Sequence, residues 1–561
     1  MTNDTATWQG RAKAKREAIL QAIPEKWILK EPIPSPEEQR DVTGKFIHQF
    51  LNSHEIEITE TDAVGIVEKT TSGTWTAVEV IEAFAHRAAL AHQLVHCLHE
   101  FFVDTAVADA KKLDAYFAMH KRPIGPLHGL PISLKDQFHI KGVETTMGYI
   151  GWIGTFQGKK GTGKEMVFES EMVRELRNLG AILYCKTSVP HTLMVGETVN
   201  HIVGYTLNPK NRLLSCGGSS GGEGALIGLR GSPLGFGTDI GGSIRIPAAF
   251  NGLYGLRPSH GRMPYEGMAN SMDGQNTILS VVGPLATTAR SLRLAVKSVL
   301  SQQPWLYDPL VNELPWRDEM EKQVDLMASK TTGQLSFGIL RNDGVVTPHP
   351  PVQRAIEVVA KTIEKLGHKV IDWNPPSHKH AMDIGLKTWI YDGGKDVHEA
   401  AGLSGEPLAP QLSIYGSKPV AEMVASDIAA VNIEKREYQK EYMDYWNSTA
   451  EKTGTGRPVD AYISPLAPFA AVRRNRYSWI GYSIATNVLD YSSCVLPVTH
   501  ADEKIDVVNE DFKPMTDLDQ DIWKDWAFRA ERMRLRHLKE GAKYETANVE
   551  ILETGTALFL G

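Results

Sequence analysis

No stretch of the chain approaches the roughly 18 consecutive apolar residues that a membrane-spanning helix requires, and residues 1–8 are polar. The expectation is a cytoplasmic protein with no transmembrane segment. Cysteine is scarce as well: Cys97, Cys185, Cys216 and Cys494 are the only four, and none forms a CxxC pair. Four scattered thiols in so long a chain fit a reducing compartment. Long basic runs are missing too. The 60 Lys and Arg stand against 67 Asp and Glu, a net charge of −7, which argues against nucleic acid as a partner. No internal repeat is present.

What the chain has is apolar mass and clustered glycine. With 561 residues, 42% of them hydrophobic, it can bury a large core, and length alone allows up to about four domains. Local signals alternate between helix and strand. Thr76-Ala77-Val78-Glu79 reads as a capping box, followed by an apolar stripe of Ala77, Val80, Ile81, Phe84 and Ala88. Ser170 is expected to cap a helix ending at Gly180, ahead of a strand over 181–185. A further unit runs from a strand at 335–340 through a helix over 352–366, breaks at Gly367 and resumes as a strand at 369–371. Such βαβ-type units predict an α/β fold with helices on both faces of a mixed sheet. Before about Thr59 the chain reads as a charged helical arm, interrupted by the rigid Glu31-Pro32-Ile33-Pro34-Ser35-Pro36. Segment 301–335 reads as an insertion or surface loop.

Two serine-glycine clusters stand out: Gly217-Gly218-Ser219-Ser220-Gly221-Gly222, and Gly237-Thr238-Asp239-Ile240-Gly241-Gly242-Ser243-Ile244-Arg245. Upstream, the strand-like run Leu127-His128-Gly129-Leu130-Pro131-Ile132-Ser133-Leu134-Lys135-Asp136 delivers one lysine. Together they supply a hydroxyl nucleophile, a second hydroxyl to relay its proton, an amine to hold it, and bare backbone amides for developing negative charge. This is an acyl-transfer set without histidine. A lysine serves as a base only when neutral, and its unperturbed pKa of roughly 10.4 must fall by burial. Leu130, Pro131, Ile132 and Leu134 supply that burial. Asp136 would favour the charged amine, so its side chain is expected on the opposite face, as strand alternation allows.

Other readings of these and neighbouring residues are weaker. Glycine-serine runs are most often linkers, but both clusters are embedded in apolar sequence. Gly218-Ser219-Ser220-Gly221-Gly222 satisfies G-x-S-x-G with Ser220 central, yet no histidine is marked as its partner. Residues 158–164 have phosphate-loop spacing but continue with Glu165 where Ser or Thr is needed. His92, His96 and His99 could share a helix face as metal ligands; surface or interfacial histidines are the favoured reading, and the chemistry needs neither metal nor cofactor.

The stretches 217–227 and 233–245, with the lysine run before them, resemble the amidase signature family, and within it fungal acetamidases and fatty-acid amide hydrolases. The resemblance extends from about Thr74 to about Arg293 and more faintly through 460–498. It implies a single large mixed twisted sheet, with an amino-terminal arm over 1–59, a catalytic domain over 60–510 and a divergent segment over 511–561. It also implies roles: Ser243 as nucleophile, Ser219 as bridging hydroxyl, Lys135 as base, and a cis peptide at Gly218-Ser219. Ile240, Gly241, Gly242 and Ser243 would offer main-chain N–H groups to the oxyanion, and Leu193, Met194 and Val195 would line the acyl site. The reaction implied is hydrolysis of a neutral carboxamide to acid and ammonia or amine. Carbamate or ester hydrolysis, the glutamine-amidase subunit of a tRNA amidotransferase, and an inactive scaffold stand as alternatives; a homodimer is compatible with each. The chain departs from the family after Val498: in place of a glycine-containing strand it runs Asp517-Leu518-Asp519-Gln520-Asp521-Ile522-Trp523-Lys524-Asp525-Trp526 and a basic stretch. That departure puts the last strand in question.

Overall fold

The computed structural model describes residues 7–502, 504–527 and 556–560, and is built around one mixed sheet. Thirteen strands are described: β1 (Leu98–Phe101), β2 (Pro131–Lys135), β3 (Ile182–Thr187), β4 (Val199–Asn200), β5 (Gly204–Tyr205), β6 (Leu234–Asp239), β7 (Tyr254–Arg257), β8 (Val281–Ala286), β9 (Ser336–Ile339), β10 (Lys369–Asp372), β11 (Ala461–Pro465), β12 (Ser493–Leu496) and β13 (Thr556–Leu560). All but the β4–β5 hairpin form an 11-stranded sheet ordered β1-β3-β2-β6-β8-β7-β12-β13-β11-β9-β10. The sheet is parallel at β3-β2-β6 and at β11-β9-β10, and antiparallel elsewhere.

Local sequence explains why these elements form. Thr76 and Glu79 make the reciprocal capping box at the head of helix Ala77–Val95, satisfying amides that would otherwise be orphaned. The expected stripe is the buried one: Val80, Ile81, Phe84 and Ala88 are 0% exposed. Burying each large member contributes about 1.5–3 kcal/mol. The helix stops where His96 turns left-handed. Alternation along β3 divides the core between the two faces of the sheet. Leu183 joins Ile132, Leu134 and Phe236, whereas Ile182 and Tyr184 join Ala85 and Ala88 of that helix.

The unit after residue 335 also forms as expected. Helix Pro350–Lys365 connects β9 to β10, Gly367 takes a φ of +81°, and the two strands pair in parallel. Three expectations change. Ser170 holds the position before helix Glu171–Asn178 but does not cap it; its hydroxyl instead donates to Gly267 O at 2.7 Å and accepts from the His139 N–H at 2.9 Å. Segment 301–335 lies at the surface, but it carries a helix, Asp318–Ala328, rather than loop alone. Asp318, Glu319 and Glu321 in its first turn suit the positive end of the helix, and Arg293 and Lys297 pair with Glu321 and Asp318. The last strand is present: β13 inserts antiparallel between β11 and β12, near the middle of the sheet. Residues 517–527 before it are helical, while the basic stretch that follows lies outside the described residues.

Candidate active site

Strand β2 ends on Lys135, and its alternation decides what that lysine meets. Ile132 and Leu134 enter the apolar cluster. Ser133 and Lys135 face the other way, toward helix Gly221–Gly228, where the Ser133 hydroxyl donates to Glu223 Oε2 at 2.5 Å. Lys135 Nζ lies 2.7 Å from Ser219 Oγ and 2.7 Å from Thr238 Oγ1. The Thr238 hydroxyl proton is committed to Gln137 Oε1 at 2.6 Å, so toward Lys135 this threonine can only accept. A neutral amine that spends an N–H on Thr238 can turn its lone pair to the Ser219 hydroxyl.

Lys135 is fully buried, and burial pulls its pKa down to about 7, although Asp239 and Glu223 pull the other way. A free base is therefore available near neutrality. Glu223 is itself pushed up to about 7 by burial, while hydrogen bonds from Ser133 and Thr187 oppose the rise.

The first glycine cluster brings Ser219 to this lysine. Its Gly218–Ser219 peptide is cis, and the helix that follows presses hard on the exit of β3. A Cβ on Gly222 would stand 2.3 Å from Ser188 N and 2.5 Å from Ser188 O, both main-chain atoms that cannot yield.

The second cluster turns sharply at the end of β6 around the carboxylate of Asp239. That carboxylate accepts from Gly242 N (2.8 Å), Ile244 N (3.1 Å), Arg245 Nε (2.9 Å), Arg245 Nη2 (3.0 Å) and Asn487 Nδ2 (2.9 Å). Burial raises its pKa, yet Arg245 and these hydrogen bonds hold it below the usual carboxylate range. Ser243 emerges from the turn 8% exposed and lines a cavity of about 40 Å³.

Several sequence-predicted residues meet there. Leu193, Met194 and Val195 line the same cavity, together with Ile240 and Gly241. The N–H groups of Ile240, Gly241 and Ser243 have no acceptor among the described residues. Gly242 differs from expectation: its N–H is occupied by Asp239, which needs that donor to close the turn. The two clusters are joined by the Ser220 N–H donating to Ser243 O at 3.0 Å. Ser219 and Ser243 hydroxyls share no direct hydrogen bond.

The rival readings find no site. Ser220 is buried with its hydroxyl against the backbone of Thr238. The 158–164 loop leads into no helix. His92, His96 and His99 diverge: His92 accepts from Leu98 N, His96 is a helix cap, and His99 pairs with Asp136. Thr238, Gln137, Asp239 and Arg245 were missed as site residues although they sit within or beside the motifs. Trp389 and Ile480, which close the cavity, have no local signal at all because they come from segments remote in the chain.

The matches to known proteins follow the same segments. The family model described as Amidase matches residues 79–518. The acetamidase of Aspergillus oryzae is 46% identical over 522 residues, covering 93% of each chain. The acetamidase of Emericella nidulans is 46% identical over 514 residues, covering 91% of each. Among solved structures, a fatty acid amide hydrolase superposes with a TM-score of 0.85 at 30% identity, over 99% of this chain and 92% of that one. Agreement of this length takes in the sheet, both glycine clusters and the lysine strand, and the chain belongs to the amidase family of hydrolases.

Proposed function

We propose that this chain hydrolyses small neutral carboxamides through a serine acyl-enzyme. Ser243 attacks the carbonyl; its proton passes through Ser219 to neutral Lys135. The N–H groups of Ile240, Gly241 and Ser243 receive the oxyanion, each such donor being worth on the order of 3 kcal/mol of the barrier. The same relay returns the proton to the departing nitrogen, releasing ammonia or amine. Water then takes the place of the amine, is deprotonated by the relay and cleaves the ester.

The observation that carries this reading is the hydrogen bond of 2.7 Å between Ser219 Oγ and a lysine whose pKa burial has lowered to about 7. The cavity supports the proposed substrate class. Its volume of about 40 Å³ accommodates about three water-sized groups, which suits a two- or three-carbon acyl chain. Its walls carry no charged side chain among the described residues, which favours an uncharged amide over glutamine. The names of the two fungal relatives, both acetamidases, agree with that choice. The test is ammonia release from formamide, acetamide, propionamide, benzamide and glutamine, with Ser243→Ala as control. Acetamide and propionamide should lead; a preference for glutamine, or unchanged turnover in Ser243→Ala, overturns the reading.

A further inference from the structure

The cavity wall at Leu193 continues backward into a histidine with no task in the chemistry above. His191 is fully buried, and neither of its ring nitrogens has a hydrogen-bond partner. Its Nε2 lies 3.8 Å from Oε2 of Glu406, an oxygen equally buried and equally without a hydrogen bond. The other carboxylate oxygen of Glu406 is satisfied by the Ile150 N–H at 2.7 Å and the Ser404 hydroxyl at 3.1 Å, so the side chain is anchored with Oε2 left over. His201 completes the group, its ring 5.5 Å from that of His191. A carbonyl can only accept, so the 2.8 Å contact between His201 Nε2 and Pro407 O makes Nε2 the protonated nitrogen and leaves a lone pair on Nδ1. One nitrogen from each histidine and one carboxylate oxygen lie within 4.8 Å of one another.

Buried polar atoms are almost always paired, yet here His191 Nε2 and Glu406 Oε2 face one another unpaired, with a ring nitrogen of the partly buried His201 within reach of both. We propose that His191, His201 and Glu406 bind a divalent transition-metal cation of the zinc type, clamping the 190–201 segment to the chain at 404–407. Two imidazoles and one carboxylate are a zinc donor set that leaves a fourth position for water, and imidazole donors favour such ions over calcium or magnesium. Ligand atoms about 2.1 Å from a tetrahedral ion stand roughly 3.4 Å apart, so the group needs only a small contraction to close on it. The backbone contact from His201 to Pro407 is the kind of outer partner that fixes tautomer and ring orientation in metal sites. The clamp does not rest on the amide chemistry: the site contains none of the residues assigned to it, so either reading can fail alone.

The experiment uses the full chain, stripped with a chelator and dialysed against zinc chloride, with bound metal measured directly and cobalt(II) substitution followed by visible absorption. The wild type should take up one equivalent of zinc, show the absorption of tetrahedral cobalt, and melt at a higher temperature with zinc than without it. His201 is only partly buried, so His201→Ala should fold. It should bind zinc more weakly by over about 100-fold, the upper end of what loss of an outer partner alone costs. Glu406→Gln, checked for folding by circular dichroism, should behave alike. No stoichiometric zinc uptake by the wild type, which would leave the three atoms to ordered water, overturns the proposal; so does wild-type affinity in His201→Ala.

Discussion

Lys135 and Asp136 are adjacent in the chain yet belong to separate networks. Lys135 Nζ meets Ser219 and Thr238, whereas the Asp136 carboxylate meets Lys186 at 2.7 Å, His99 at 3.0 Å and the amides of Thr146 and Met147, both at 3.1 Å. The strand pleat separates them, and Lys186 gives the aspartate a cation of its own. Burial raises the Asp136 pKa, but Lys186 and His99 bring it below the usual carboxylate range. The carboxylate is thereby kept from stabilising the charged form of the amine beside it in sequence.

The first prediction is a pH profile. With the amine at about 7, the neutral base predominates above that pH and the inert cation below it. In the free enzyme kcat/KM should therefore rise from pH 6 to pH 8 with an apparent pKa near 7, then level off. A flat profile across that range, measured with acetamide, would remove Lys135 from the role of base.

Asp136→Asn should separate folding from chemistry. It leaves the buried Lys186 ammonium without its counter-charge, an uncompensated charge that costs about 3–5 kcal/mol. Denaturant unfolding should show that loss, while whatever enzyme remains folded keeps the rising profile. A variant as stable as the parent would mean that Lys186 finds another partner.

Thr238→Val keeps the shape of the side chain and removes the acceptor that holds one Lys135 N–H. The amine stays buried but its lone pair is no longer directed at Ser219. kcat should fall about tenfold, equivalent to about 1.4 kcal/mol, with KM little changed. Ser243→Ala, by contrast, should lower kcat by more than about 10³-fold, because it deletes the proposed nucleophile itself.

The difference between these residues also marks how far sequence reasoning reaches. The strand at 131–135, the capping box and the two clusters are local patterns, and alternation alone put Asp136 on the far face from Lys135. Asp239 illustrates the limit. Its carboxylate binds donors from both Gly242 and the distant Asn487, and nothing in the glycine-rich pattern discloses that one of the four expected N–H groups is spent on closing the turn. Trp389 and Ile480 illustrate it further, since they reach the cavity only once helices of the carboxyl-terminal half dock on the sheet. At the other end, β13 carries no repeat of the family's glycine-containing strand, yet it fills a central place in the sheet. Its backbone pairing accepts any sequence of suitable strand propensity.

Trp389 gives the prediction that bears on substrate choice. It stands on the cavity wall, close enough to the second cluster that a Cβ on Gly241 would lie 3.0 Å from its ring. It therefore limits the room available beside the N–H groups of Ile240 and Gly241, the proposed oxyanion donors. Replacing it by leucine opens space without introducing a polar group, and each added methylene that gains a contact in an apolar site is worth about 1–3 kcal/mol. Trp389→Leu should raise kcat/KM for butyramide and hexanamide relative to acetamide by about 10–100-fold, with acetamide turnover itself reduced because the short chain is held less closely. Competition between acetamide and hexanamide in one reaction measures that ratio directly. If the ratio is unchanged, the acyl chain leaves the nucleophile by another path, and Leu193 to Val195 rather than Trp389 would set its length.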